Sequence, residues 1–341
     1  MIERERLACD VARRYYLENE TMPELAKAFG VSRSTISRLI TLAREREWVR
    51  VEIVDPEEHE SDAVRYLRER FDLVSIVSVS MRPNVNMVER VGHRAADCLG
   101  HAIKDHQTIG VAWGTTTGAV AARLRPTDRI GCTIVQLNGA GSLKDLEVDY
   151  SVHILGQFCA AWNAIAAHFP VPAFFDNADT RTALWEERSV RRVLRIQRTC
   201  DVAIFSIGST EADPPSRVYA AGYLSPADRR QLAADGAVGD IATHFYDRNG
   251  ATRDIHLNKR ASGLPPDRLR RIPERYCIAA GIGKTEALAG ALRGGYVTTL
   301  IADSALLDAV AVACRSGAEP GDEPSVDRVR RSPGGTDRSN R

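Results

Sequence analysis

The sequence predicts an α/β protein: a small helical unit followed by a larger domain built on a mostly parallel sheet. Three observations predict it. The first fifty residues read as helix, tight glycine turn, helix. From Leu73 onward, short apolar runs alternate with helical patterns, as a parallel sheet with crossover helices requires. Several of those runs end in glycine-rich loops, the places where ligands are held at the carboxyl edge of such sheets.

Residues 4–19 carry a helical apolar stripe of Leu7, Val11 and Tyr15, supported by Ala8 and Ala12. "TMPELAKAFGVSRSTISRLITLARE" follows. Thr21 is an N-cap, with Pro23 and Glu24 in the first turn where each is favoured. Leu25, Ala26 and Phe29 form the inward side, Gly30 ends the helix and Val31 packs in the turn. Ser32 caps a second helix with Ile36, Leu39 and Ile40 inward. Its outward face opens with Arg33, Ser34, Thr35, Ser37 and Arg38, the side chains that reach base edges when such a helix enters a major groove. From Lys27 to Arg50 six basic residues (Lys27, Arg33, Arg38, Arg44, Arg46, Arg50) face two acids (Glu45, Glu47), an excess of +4. That is a footprint for phosphate contacts. "WVRVEIV", residues 48–54, alternates as a strand and would form a wing. The competing reading is a helical hairpin used only for dimerisation, its arginines solvated.

Asp55-Pro56 breaks the strand. "EEHESDAVRYLRERF" then reads as an amphipathic helix with Val64, Leu67 and Phe71 inward, serving as a connector or as a dimer contact. The alternation beyond it runs through "LVSIVSVS", "VERVGHRAADCLGHAI", "TIGVAW", "GAVAARL" and "CTIVQL". It returns in "VRRVLRIQRTC", "DVAIFSIG", "RYCIAAG", "KTEALAGALRGG" and "VTTLIAD". The tail after residue 316 is rich in Pro, Gly and charge without apolar pattern, and disorder is expected there.

Composition narrows the field. With 44% hydrophobic and 27% charged residues the chain is ordinary for a globular protein, and its net charge of +1 leaves any nucleic-acid contact to local charge. No apolar run approaches the roughly 20 residues that span a bilayer, and "MIERERLACD" lacks a signal-like apolar core, so a cytoplasmic protein is expected. Seven scattered cysteines without a C-x-x-C, and eight histidines without ligand spacing, argue against a disulfide frame or a metal site.

Four loops fall at strand ends on one edge. They are "GTTTG" (Gly114–Gly118), "QLNGAGS" with Asn138, Gly139 and Gly141, "SIGSTEAD" with Gly208, Ser209 and Thr210, and "AAGIGKTEAL" with Gly281, Gly283 and Lys284. Glycines admit close backbone approach, hydroxyls bind oxygen atoms, and a lysine supplies charge. Gly114 to Thr116 open a helix, where backbone N–H groups favour an anion. "GIGKT" is not a nucleotide P-loop, because Ile278 stands where that pattern needs glycine. In "DNAD", Asp176 and Asp179 could form an acid–base pair, but Asp176 or Asn177 more simply starts the helix "TRTALWEE". Asp240, after Gly239, either accepts hydrogens from a hydroxylated ligand or caps a turn.

Taken together and in order, "LAKAFGVSRSTISRLITLARE", "GVAWGTTTGAVAARL", "VQLNGAGS", "VAIFSIGS", "VGDIATHFYDRNG" and "AAGIGKTEALAGALRGGYVTTLIADSALLDAV" resemble the sorbitol-operon regulator (SorC) family of bacterial sugar-responsive transcription factors. The resemblance runs over about residues 5 to 315. It implies a winged helix-turn-helix (1–55), a linker helix (56–72) and a Rossmann-like effector domain of sugar-phosphate isomerase/deaminase type (73–316), with 317–341 as tail. It implies double-stranded operator DNA and a phosphorylated sugar as partners, no cofactor, and assembly into a homodimer or homotetramer. Carried over, Gly114, Thr115 and Thr116 would hold the phosphate with Lys284 nearby, and Gly139, Gly208 and Asp240 would line the sugar; Asn138 and Gly283 join them as candidates. Asn138 lies in the loop where some relatives carry a lysine able to form a Schiff base. Gly281-Ile282-Gly283 replaces a Gly-Gly found in many relatives, and Ala302 a frequent Thr. The expected function is a ligand-gated, non-enzymatic transcriptional regulator; the alternative is a sugar-phosphate isomerase or deaminase with an accessory DNA-binding domain.

Overall fold

The computed structural model describes residues 3–46, 48–49, 60–82, 85–140, 149–212 and 215–316. They fall into two compact units that part between His59 and Glu60.

In the first unit α1 (Glu3–Tyr16), α2 (Met22–Phe29) and α3 (Arg33–Glu45) enclose a core of Ala8, Val11, Leu25, Ile36, Leu39 and Ile40. Thr21 precedes α2, and its backbone N–H donates to Glu24 Oε2 at 2.8 Å. Gly30 ends α2 with φ +66°, a left-handed conformation in which a Cβ would be strained. Ser32 caps α3, its Oγ accepting from the Thr35 backbone N–H at 3.2 Å. The winged strand expected over 48–54 lies mostly outside the described residues.

The second unit opens with α4 (Asp62–Arg70). This helix, placed in the linker segment by the sequence, has Ala63, Val64 and Leu67 buried in the same core as Leu306, Leu307 and Val310. Next come β1 (Ser75–Val79), α5 (Met87–Ala102), β2 (Thr108–Val111), α6 (Thr115–Ala121) and β3 (Thr133–Gln136). The chain continues through α7 (Asp149–Ala161), β4 (Ile165–Ala167), α8 (Ala178–Trp185), α9 (Arg188–Arg198), β5 (Val202–Phe205) and β6 (Ile207–Gly208). Asn177 caps α8, its Oδ1 accepting from the Asp179 N–H at 2.7 Å, so "DNAD" is a helix start. After α10 (Arg217–Ala220) and α11 (Pro226–Ala234) come β7 (Ala237–Ile241), β8 (His244–Asp247), α12 (Pro266–Leu269) and β9 (Glu274–Ala279). The unit closes with α13 (Thr285–Arg293), β10 (Thr299–Asp303) and α14 (Ser304–Ser316).

Seven strands form one parallel sheet in the order β1-β10-β9-β5-β2-β3-β4. Apolar residues on both sides of its strands explain the near-continuous runs in the sequence. Val202, Ile204, Ile278 and Ile301 enter the core on one face, while Ala203, Phe205, Cys277, Ala279, Leu300 and Ala302 enter the core on the other. The connections reverse direction between β2 and β5, which makes that boundary the sheet's switch point.

The sequence did not separate out a second sheet. β6, β7 and β8 pair antiparallel, with Gly208 opposite Asp240 and Ile207 opposite Ile241. One residue, Ser206, joins β5 of the large sheet to β6 of the small one. Asp240 therefore lies inside a strand, β7.

Candidate functional site

The loops that follow β2, β3, β5 and β9, four neighbouring strands around the switch point, meet at a cleft of about 390 Å³. The small sheet, Val88 and residues 215–218 supply further wall. Of the nine residues expected to hold a ligand, eight line it: Gly114, Thr115, Thr116, Asn138, Gly208, Asp240, Gly283 and Lys284.

Gly139 stands behind the lining and has a packing role. A Cβ there would sit 2.3 Å from the Val171 carbonyl oxygen, its N–H donates to Ser262 Oγ at 3.0 Å, and its carbonyl accepts from Trp113 Nε1 at 2.9 Å. Trp113 also stacks on Tyr223, whose hydroxyl donates to the Ala140 carbonyl at 3.1 Å. These bonds pin the loop after β3 so that Asn138, 1% exposed, borders the cleft. Gly141 and Ser142 of the same motif lie outside the described residues.

Lys284 is buried at the start of α13. Its Nζ donates to Ser206 Oγ at 3.2 Å and to Thr116 Oγ1 at 3.4 Å, so one ammonium gathers the loops after β2, β5 and β9. Burial lowers its pKa, opposed by the nearby Cys277, Asp240 and Asp303. Two glycines bring this loop into place. Gly281 has φ +95°, and a Cβ on Gly283 would stand 2.2 Å from the Glu211 carbonyl oxygen. Asp303, at the end of β10, fixes the turn: its Oδ2 accepts from the Gly281 N–H at 2.7 Å and its Oδ1 from the Leu306 N–H at 3.0 Å. Sequence reasoning had not given Asp303 a role.

Asp240 is 4% exposed, and burial pushes its pKa up to about 7, against the Thr243 N–H and the Lys284 charge, which lower it. Its Oδ2 accepts from the Thr243 N–H at 3.2 Å, so it does cap a turn. That turn is a strained one. Ala242 and Thr243 both have positive φ, +48° and +67°, although neither is glycine. A Cβ on Gly208 would come within 1.8 Å of Asp240 Oδ1, so the carboxylate can occupy its place only because its cross-strand partner has no side chain.

The polar atoms left over define what the cleft can accept. Asn138 Oδ1, Asp240 Oδ1 and Thr243 Oγ1 are buried, border the cleft and have no hydrogen-bond partner. Buried acceptors of this kind are costly unless something satisfies them. Ser206 and Thr243, absent from the sequence-based set, belong to the site. Their signal was weak, since each is a lone hydroxyl whose position depends on the small sheet.

The first unit presents a different surface. Ser32, Arg33, Ser34, Ser37 and Arg38 are exposed on the leading turns of α3, and Thr35 is half-buried, its Oγ1 2.9 Å from Ser32 Oγ. Among the described residues neither Arg33 nor Arg38 has an ion-pair partner. Among the described residues two of these basic side chains are engaged within the unit: Arg44 Nε donates to the Tyr16 hydroxyl at 2.6 Å, and Arg46 pairs with Glu5 at 3.8 Å.

Residues 55–310 match the Sugar-bind family, described as "Putative sugar-binding domain". The chain belongs to this family of transcriptional regulators. It is 30% identical to the transcriptional regulator LsrR of Escherichia coli O9:H4 (strain HS) over 308 residues, 89% of this chain and 93% of the relative. A domain of a possible sugar-binding transcriptional regulator from Arthrobacter aurescens TC1 is 35% identical, superposes with a TM-score of 0.70 and is matched over its whole length by 76% of this chain. The full-length sorbitol operon regulator SorC of Klebsiella pneumoniae shares the fold at 24% identity, with a TM-score of 0.76 over 90% of this chain and 98% of that one. The resemblance to the SorC family expected from the motifs holds. Among the described residues no helix is long and apolar enough to cross a membrane, no group of three or more His, Cys, Asp or Glu is placed to hold a metal ion, and all seven cysteines are free.

Proposed function

We propose that the cleft takes a phosphorylated sugar or a closely related anionic polyol, and that its occupancy controls how the N-terminal helical unit grips operator DNA. One observation carries the ligand class. Around one cavity the chain gathers a buried ammonium, hydroxyls and glycine-rich backbone for an anion, together with the unpartnered oxygens of Asn138, Asp240 and Thr243 for ligand O–H groups. A polyol bearing an anion satisfies both sets. The exposed Arg33 and Arg38 on a capped helix support the duplex as the other partner.

The regulator is read as a homodimer or homotetramer in the cytoplasm, because half-sites about 34 Å apart need two helical units. The ligand acts by binding one arrangement of the subunits better than another, a coupling of about 1–3 kcal/mol. We read the cleft as non-catalytic, in keeping with relatives named as regulators.

Melting curves of the full-length protein against a panel of sugar phosphates test the reading, each compound paired with its unphosphorylated parent. A shift from one phosphorylated member, absent with its parent, is the expected result. Equal shifts from the parents, or none from any compound, overturn the ligand class. Steady product formation from a sugar phosphate overturns the non-catalytic reading, and duplex binding indifferent to a compound that does bind overturns the control.

A further inference from the structure

Helix α9 carries five arginines in eleven residues: Arg188, Arg191, Arg192, Arg195 and Arg198. At about 100° per residue they fall within an arc of roughly 120°, while Val190 and Gln197 are buried on the opposite side. All five are exposed. Four of them, with Trp185, Glu186 and Leu194, line a shallow groove of about 500 Å³ on the second unit. The groove shares no residue with the ligand cleft.

This face is costly for the helix that bears it. Arg188 and Arg191, Arg188 and Arg192, Arg191 and Arg195, Arg192 and Arg195, and Arg195 and Arg198 are like charges at three- or four-residue spacing, which repel across a turn. At the positive end of the helix dipole Glu186 and Glu187 precede Arg188, but Glu187 makes no side-chain cap and no acidic residue lies in the first turn itself. Compensation within the chain is slight. Arg191 lies 4.0 Å from Glu186, and among the described residues no other of the five has a carboxylate at ion-pair distance. A chain whose net charge is only +1 has thus concentrated unpaired cations on one ridge.

We infer that the arginine ridge of α9 is a second contact surface for double-stranded DNA, engaging the phosphates of duplex outside the segment read by α3. The spacing fits. Ten residues of rise carry Arg188 to Arg198 over about 15 Å. One strand of duplex presents a phosphate about every 3.4 Å of axis, so the ridge faces about four of them. A second copy of this chain is the poorer occupant, since a two-fold contact through this helix sets arginines against arginines.

The inference rests on the reading of the chain as DNA-binding, and the experiment separates the two. Full-length protein is titrated by fluorescence anisotropy onto a duplex of about 60 base pairs and arbitrary sequence, between roughly 50 and 200 mM salt. The variants are Arg188→Gln/Arg191→Gln/Arg195→Gln/Arg198→Gln, and separately Arg33→Ala/Arg38→Ala. The ridge variant is expected to melt at least as high as the parent, because these side chains are exposed and repel one another. Its plot of log affinity against log salt should be shallower by about 2–4, with affinity lower by roughly tenfold or more at the low-salt end. Combined with Arg33→Ala/Arg38→Ala, the losses should add. An unchanged slope and affinity in a normally melting ridge variant, with the Arg33→Ala/Arg38→Ala variant impaired, overturn the inference and leave the regulator reading standing. So does a ridge variant that changes subunit number, or loses binding to poly-glutamate, while retaining its duplex affinity. Absence of duplex binding by the parent protein overturns both.

Discussion

Arg33 and Lys284 are both cations at the start of helices, in surroundings that differ in almost every respect. Arg33 stands in water on α3, with its guanidinium uncommitted, and Lys284 is 7% exposed before α13 with two hydroxyls as partners. Water screens the first charge, which suits it to a large polyanion approached from outside. Burial magnifies the second, which suits it to one small anion that displaces water. On the reading proposed above, the chain separates two kinds of anion recognition by dielectric environment.

Substituting each kind of residue sharpens that contrast. The largest effect is expected for Lys284→Met. Loss of a charge-assisted contact of about 1.5–3 kcal/mol should weaken sugar-phosphate binding by one to two orders of magnitude, measured by calorimetry, with duplex affinity unchanged. Gly208→Ala forces a methyl group against Asp240 and should cost about 1–3 kcal/mol in chemical denaturation, while also depressing ligand affinity. Arg33→Ala should cost about 1–3 kcal/mol in operator binding and leave the ligand isotherm as it was. If Arg33→Ala and Lys284→Met damage the same property, the division between the two sites is wrong.

Acidity probes the buried side alone. Asp240 has a folded pKa of about 7, above its usual value of 3.8, so the native state binds a proton that the unfolded chain releases. The stability this confers is complete below about pH 4 and lost as pH rises through about 7. Melting temperature of the free protein should therefore fall between about pH 4 and 7, and fall less in Asp240→Asn. An equal decline in both proteins would remove Asp240 from the account. The smallest effect expected is that of Ser32→Ala, which deletes the α3 cap and should cost about 1 kcal/mol in the first unit with the cleft untouched.

Most of the first unit was legible because its signals are local. A cap, a glycine and an apolar stripe within twenty-five residues decide α2, α3 and their exposed face, and the structure places Ile36, Leu39 and Ile40 inside as that stripe requires. The cleft was legible in part. Glycine loops after apolar runs located its four corners, yet Gly139 has the look of a ligand-loop glycine and serves packing instead. Asp303, Ser206 and Thr243 escaped because their roles depend on contacts across the fold. Asp303 reaches a backbone N–H twenty-two residues earlier, and Thr243 adopts a left-handed turn that β-branched residues rarely occupy. The small antiparallel sheet was missed for a related reason: β6 is two residues long and continues an apolar run that belongs mostly to β5.

That short junction has a consequence. A single residue, Ser206, carries the chain from β5 of the large sheet into β6 of the small one, and its hydroxyl receives a hydrogen from the Lys284 ammonium. An anion that drew on the Lys284 ammonium would compete with this hydroxyl at the very residue where one sheet passes into the other.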